Sequence, residues 1–103
     1  MVITDEIKQL IPQAPIVPIV TVSSQGQPHL ITVGKAKEVQ ENDTLVFGIH
    51  KMEQTQRNMH DTGIMQVIIA TREGGSRGFR LSGSGRVEGK QVFFEAREAS
   101  ALL

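Results

Sequence analysis

The fold is decided around residues 45–58, which read LVFGIHKMEQTQRN. The apolar, partly β-branched run from Thr44 to Ile49 predicts a largely buried strand. Gly48 interrupts this run, and a glycine inside a strand often marks a bulge or a close approach to the backbone. The polar loop His50 to Glu53 follows, and a short helix is predicted from Gln54 to Asp61. The stretch therefore predicts a strand, a loop and a helix in immediate succession.

This succession predicts an anion-binding site at the start of the helix. A helix N-terminus offers unpaired backbone N–H groups and a partial positive charge. The side chains of Lys51, Gln54 and Thr55 stand nearby as further donors. The alternative is an ordinary strand-to-helix connection with a solvated polar cap, which these residues alone do not exclude.

Composition limits the class of protein. The 103 residues are enough for one domain, residues 1–103, with a modest core. The 11 basic and 11 acidic residues give a formal net charge of zero, which argues against a nucleic-acid partner. No apolar stretch approaches the roughly 20 residues of a membrane span, and the charged N-terminus lacks the apolar core of a secretory signal. We therefore expect a cytoplasmic protein that binds neither nucleic acid nor membrane.

Metal sites and cysteine chemistry are not indicated. The chain contains no cysteine, which excludes disulfides, iron–sulfur clusters and thiolate zinc sites. The three histidines, His29, His50 and His60, show no ligand spacing, so we predict no metal site. There is no serine elbow and no motif of paired carboxylates, so no side chain stands out as a catalytic acid or base. His50 is the one titratable candidate beside the predicted anion site.

The rest of the chain predicts four further strands and two further helices. The first strand contains Pro18, which removes a ladder donor and favours an edge position or a bulge there. Gly83 and Gly85 indicate bending of the last strand. This pattern favours a mainly β fold, a small closed or partly closed antiparallel barrel with short flanking helices. The predicted strands are Ile16–Val22, Pro28–Val33, Ile64–Thr71 and Phe79–Val87, and the helices begin after Thr4 and span Val92–Leu102.

These segments resemble the FMN-binding split-barrel family, which includes pyridoxamine phosphate oxidases and small FMN-binding proteins. The resemblance covers residue 16 to about residue 100 and rests on four segments in the expected order. It implies a small antiparallel split β-barrel that forms a homodimer with FMN at the interface. The four segments are VPIVTVSSQGQPH (17–29), LVFGI (45–49), QTQRN (54–58) and GFRLSG (78–83).

The resemblance also implies which residues hold the cofactor. The second strand would run beside the flavin, the third strand would flank its ring, the helix start would meet its phosphate, and the late strand would lie near the ring. FMN would then carry out electron transfer or the reduction of a small molecule, with a small-molecule or protein redox partner. The implied residues are Ile31, Thr32, Val33, Gly34, Lys35, Gly48, Ile49, Lys51, Gln54, Thr55, Gly78 and Phe79.

The chain departs from the family pattern in three ways. Gln54 stands where many relatives carry a lysine or arginine, so the charge opposite the phosphate is left to Lys51, Lys35 or Arg57. The second strand lacks the arginine of the true pyridoxamine phosphate oxidases, so that activity is not expected. Relatives usually end with a strand after the last helix, so either the final strand is missing from this chain or the barrel closes differently.

Two alternatives to FMN remain. Related split barrels use the deazaflavin F420 or haem, and for haem the candidate axial ligands are His29 and His60. A dimer that has lost its cofactor and acts only in binding or structure is the other alternative, since fold alone does not establish function.

Overall fold

The computed structural model describes residues 1–49 and 52–102. The predictions on His50 and Lys51 therefore lie outside the described residues. The described chain forms two α-helices, a short 3₁₀ turn at Ile11–Gln13 and seven strands. The elements are α1 (Asp5–Leu10), β1 (Ile16–Val22), β2 (Pro28–Gly34), β3 (Glu38–Gln40), β4 (Thr44–Gly48), α2 (Glu53–Asp61), β5 (Ile64–Thr71), β6 (Arg77–Glu88) and β7 (Gln91–Ala101).

All seven strands belong to one antiparallel sheet in the order β2-β1-β5-β6-β7-β4-β3. The sheet is curled, so that strands from opposite ends of this order contribute residues to one hydrophobic core. Ile19 of β1, Phe47 of β4 and Phe94 of β7 are all buried in it. The fold is the split β-barrel with short flanking helices that the sequence predicts.

Helix α1 closes one side of the core. The Thr4 hydroxyl caps it by accepting a hydrogen bond from the Ile7 N–H at 3.3 Å. The Asp43 carboxylate accepts the N–H groups of Val2 and Ile3 at 3.0 and 2.9 Å and so ties the N-terminal segment to the β3–β4 turn. Neither helix in the described part of the chain is long and apolar enough to cross a membrane.

Two glycines allow β6 to bend at the barrel wall, as the sequence predicts. The register between β6 and β7 shifts between Ser82 and Gly83, which marks a bulge. A Cβ atom at Gly83 would collide with the backbone carbonyl of Glu95 on β7. At Gly85 a Cβ atom would lie 2.9 Å from the sulfur of Met59 on α2. The backbone contact therefore requires glycine at Gly83, whereas a Cβ atom at Gly85 would displace flexible methionine side chains.

The predicted C-terminal helix is wrong, because residues 91–101 form strand β7. Its buried residues alternate, at Val92, Phe94 and Ala96, and the strand pairs with both β6 and β4. Burial between two neighbouring strands outweighs the helical propensity of this alanine- and glutamate-rich segment. The expectation of a missing final strand depended on that helix and loses its basis.

The predicted edge position of the first strand is also wrong. Strand β1 lies between β2 and β5. Pro18 is tolerated there because β1 pairs with β5 only over Ile19–Thr21, so the proline has no partner on that side. The short strand β3 was not predicted, and it forms one edge of the sheet.

Candidate cofactor site

Segments that are distant in the sequence meet at a cavity of about 350 Å³, which we call the barrel-end cavity. The start of β1, the end of β2, the end of β4 and the residue before α2 all contribute to its wall. Four of its residues belong to the predicted cofactor set: Thr32, Val33, Gly34 and Gly48. A small, mainly apolar concavity of this kind suits a flat ring system. The full lining is Pro15, Ile16, Thr32, Val33, Gly34, Gly48 and Met52.

Gly48 is approached closely, as predicted, but by a side chain of the protein itself. A Cβ atom at Gly48 would lie 2.9 Å from Cε and 3.1 Å from Nζ of Lys37. Lys37 therefore places its ammonium group beside the barrel-end cavity. The sequence analysis missed this residue, because its position depends on the pairing of β3 with β4.

The first turn of α2 begins next to this cavity, because the N-cap residue Met52 is part of the lining. Within residues 1–49 and 52–102, no side chain caps the N-terminus of this helix, where Met52 occupies the N-cap position. Thr55 in the same turn is 1% exposed, and its hydroxyl oxygen has no hydrogen-bond partner among the described residues. A buried hydroxyl without a partner costs about 1–3 kcal/mol, so a native example needs an explanation. An anion bound at this helix start would provide the missing partner.

Helix α2 is fixed to the barrel by side-chain hydrogen bonds. The buried Asn58 donates through Nδ2 to the Thr21 hydroxyl at 3.1 Å and accepts from Gln54 Nε2 at 2.9 Å. At the other end of the helix, the Thr62 hydroxyl donates to the Val22 carbonyl at 2.7 Å. The first turn of α2 is therefore held in a fixed position relative to β1, which favours pre-organised binding.

Gln54 faces a different part of the surface from the barrel-end cavity. Its side chain bonds Asn58 and lines a polar cavity of about 590 Å³ between α2 and the β1–β2 turn. His29 and Arg57, named above as a candidate haem ligand and a candidate phosphate partner, line the same polar cavity. The predicted role of Gln54 at the phosphate is therefore left to its backbone N–H.

The remaining predicted residues lie outside the lining of the barrel-end cavity within one chain. Ile31 and Ile49 are half-buried against the core. Lys35 is exposed and lines a groove beside α1. Gly78 is buried on β6, and Phe79 lines a cleft beside the N-terminal segment. The structure thus brings together one part of the predicted set and leaves the late strand apart from it.

Comparison with known proteins places the chain in a family. The family model of pyridoxamine 5'-phosphate oxidase matches residues 3–100. The chain belongs to this family. No curated protein matches the chain.

Solved structures share the fold at low sequence identity. HupZ of Group A Streptococcus is 20% identical, with a TM-score of 0.79 over 96% of this chain and 93% of that chain. An FMN-binding protein of Syntrophomonas wolfei is 12% identical, with a TM-score of 0.70 over 93% of this chain and 88% of that chain. A haem-binding protein of Mycobacterium smegmatis is 12% identical, with a TM-score of 0.71 over 90% of this chain and 50% of that chain. At these identities the likeness shows the fold alone.

Proposed function

We propose that this chain is an FMN-binding protein that acts as a homodimer in electron transfer or in the reduction of a small molecule. The observation that carries the proposal is the convergence of the barrel-end cavity with the uncapped first turn of α2. The cavity suits the ring of a flavin, and the helix start suits its phosphate. Family membership and the FMN-binding neighbour from Syntrophomonas wolfei add support.

The described residues offer a candidate partner for the phosphate of FMN. FMN differs from riboflavin by a phosphate, and the buried Thr55 hydroxyl stands without a described partner in the first turn of α2. Thr55 and the N–H groups of this turn would hold the phosphate. Backbone groups of Thr32 and Val33, together with the space at Gly48, would hold the ring.

The bound flavin would supply the redox chemistry, which is the transfer of one or two electrons. The chain would contribute binding, orientation and the exclusion of water. The lining of the barrel-end cavity contains no histidine, carboxylate or lysine among the described residues, so these residues supply no proton donor in direct contact with the ring. Electron transfer needs no such donor, and a reduced substrate would take its proton from solvent.

A homodimer is supported by the outer face of β2, β1 and β5. Ile16 and Leu30 are each 65% exposed and Ile64 is 51% exposed, so each of these three strands carries a large apolar side chain at the surface. Val20 stands opposite Leu30 in the β1–β2 register and belongs to the same face. Ile16 and Thr32 of this face also line the barrel-end cavity, so a second subunit docked here would cover the mouth of the cavity.

Haem is the competing cofactor, because two structural neighbours are a haem-binding protein and a haem-storage protein. A haem site needs an axial ligand that faces an apolar cavity. The side chain of His60 is 85% exposed and lies 3.7 Å from the Asp61 carboxylate. His29 lines the polar cavity beside α2. Neither of these histidines meets the requirement, which favours FMN.

The absorption spectrum of the freshly purified protein tests the proposal. We expect flavin bands, and we expect denaturation to release a pigment that behaves as FMN in chromatography. For protein purified without cofactor, titration with FMN should quench the flavin fluorescence. A haem Soret band in place of the flavin bands would contradict the proposal. A colourless protein that fails to take up FMN would favour a cofactor-free dimer.

A further inference from the structure

The barrel-end cavity lacks a positive charge of its own among the residues described. Its lining consists of apolar side chains, two glycines and one threonine. Helix dipoles and hydrogen bonds stabilise an anion, but a dianionic phosphate at a partly buried site also favours a nearby cation. The question is therefore which basic residue reaches this cavity.

Lys37 lies against Gly48, which is part of the lining of this cavity. Its N–H donates to the Val46 carbonyl at 2.7 Å, which holds the lysine backbone against β4 two residues before Gly48. Its side chain then crosses Gly48, with Nζ 3.1 Å from the position that a Cβ atom would take there. Among the described residues, no carboxylate forms an ion pair with this ammonium group.

The other described candidates for the phosphate charge lie elsewhere. Lys35 lines the groove beside α1, as do Lys8 and Lys37. Arg57 lines the polar cavity at the β1–β2 turn. None of these residues is part of the lining of the barrel-end cavity, and Lys37 differs from Lys35 and Arg57 in that its side chain lies against Gly48. The long, exposed side chain of Lys37 can move towards an anion at the cavity without a change in the backbone.

We infer that Lys37 is the specificity-determining residue that distinguishes FMN from riboflavin. This inference rests on the proposed FMN function and adds a residue to it that the sequence did not indicate. Removing the charge of Lys37 should weaken the binding of FMN, which has a phosphate, and leave riboflavin, which has none, unchanged. The ring contacts are unaffected, because Lys37 is not part of the cavity lining.

The test compares Lys37→Gln with Lys8→Gln, which removes the same charge from an exposed lysine of α1 that lines the same groove. Each purified protein is freed of cofactor and titrated with FMN and with riboflavin, following flavin fluorescence at low and high salt. We expect Lys37→Gln to weaken FMN binding by up to about fivefold, the upper end of the range for an exposed ion pair. The salt dependence of FMN binding should also fall. Lys8→Gln should retain the wild-type affinity for both flavins.

The outcomes separate this inference from the proposed function. If the wild type binds FMN more tightly than riboflavin and Lys37→Gln shows the same preference for FMN, the inference is wrong and the proposed function stands. If Lys37→Gln weakens both flavins equally, the lysine acts by packing over Gly48, and its specificity role is refuted. If the wild type binds neither flavin, the proposed function itself fails. Thermal unfolding of the cofactor-free variants checks that both remain folded.

Discussion

Replacing Thr55 by valine should stabilise the cofactor-free protein while weakening its affinity for FMN. The Thr55 hydroxyl is buried without a partner among the described residues. Valine has nearly the same shape and a similar helix propensity, so the substitution mainly removes the desolvated hydroxyl. The cost of an unsatisfied buried polar group is about 1–3 kcal/mol, and the free energy of unfolding should rise by up to this amount.

The same substitution removes a donor from the proposed phosphate site. A hydrogen bond to a charged group contributes about 1.5–3 kcal/mol, which corresponds to a loss of about 10- to 100-fold in FMN affinity. Riboflavin lacks the phosphate, so its affinity should be nearly unchanged. Thr55→Val should therefore raise the free energy of unfolding and lower the affinity for FMN, as expected where a binding residue destabilises the cofactor-free protein.

Urea unfolding of the cofactor-free protein and flavin titration measure the two effects. Thr21→Val is the matched control, because Thr21 is also fully buried but its hydroxyl accepts a hydrogen bond from Asn58. This control should lose stability, since the Asn58 amide is left without its partner. A Thr55→Val protein that is as destabilised as the control, or that binds FMN like the wild type, would refute the reasoning.

Three further predictions address the fold and the assembly. Asp43→Asn should lower the free energy of unfolding at neutral pH, because hydrogen bonds from Ile3 and Val2 lower the pKa of the Asp43 carboxyl in the folded state. The contribution of the Asp43 carboxylate to stability is complete above its unfolded-state pKa of about 4, and it is lost as pH falls through the lower folded-state pKa. Thermal unfolding should show the two proteins converging in acid, and a constant gap would exclude the charge as the cause. Gly83→Ala should cost about 1–3 kcal/mol or more in urea unfolding, because its Cβ would meet backbone, whereas Gly34→Ala, with nothing within 4 Å, should not destabilise. Leu30→Glu should convert a dimer into a folded monomer in light scattering, and an unchanged mass would argue against the β2–β1–β5 face as the interface.

Much of the secondary structure could be predicted because its signals are local. Strands β1 and β5 have the predicted bounds, since alternating or continuous β-branched residues bounded by turns specify a strand without reference to the rest of the chain. Helix α2 begins one residue before the predicted start. Its buried face, with Thr55 and Asn58, could not be assigned before the packing was known.

The C-terminal segment shows where local signals conflict. Val92, Phe93, Ala96 and Ala99 have helical spacing, and the residues between them favour helix. Phe94 completes an equally good alternation with Val92 and Ala96, which is the pattern that the structure buries. Pairing with β6 and β4 decides between the two, and the partners are remote in sequence.

The sequence by itself determined the succession of strand, loop and helix at residues 44–61 and the presence of Gly48 and Thr55 within it. Only the tertiary structure decided that the end of β2 faces the end of β4, because these strands lie on opposite sides of the sheet order and meet only when the sheet curls. The same curling and the β3–β4 pairing bring Lys37 over Gly48. Local propensity specifies the elements, whereas the cavity between them depends on contacts between residues that are distant in the chain.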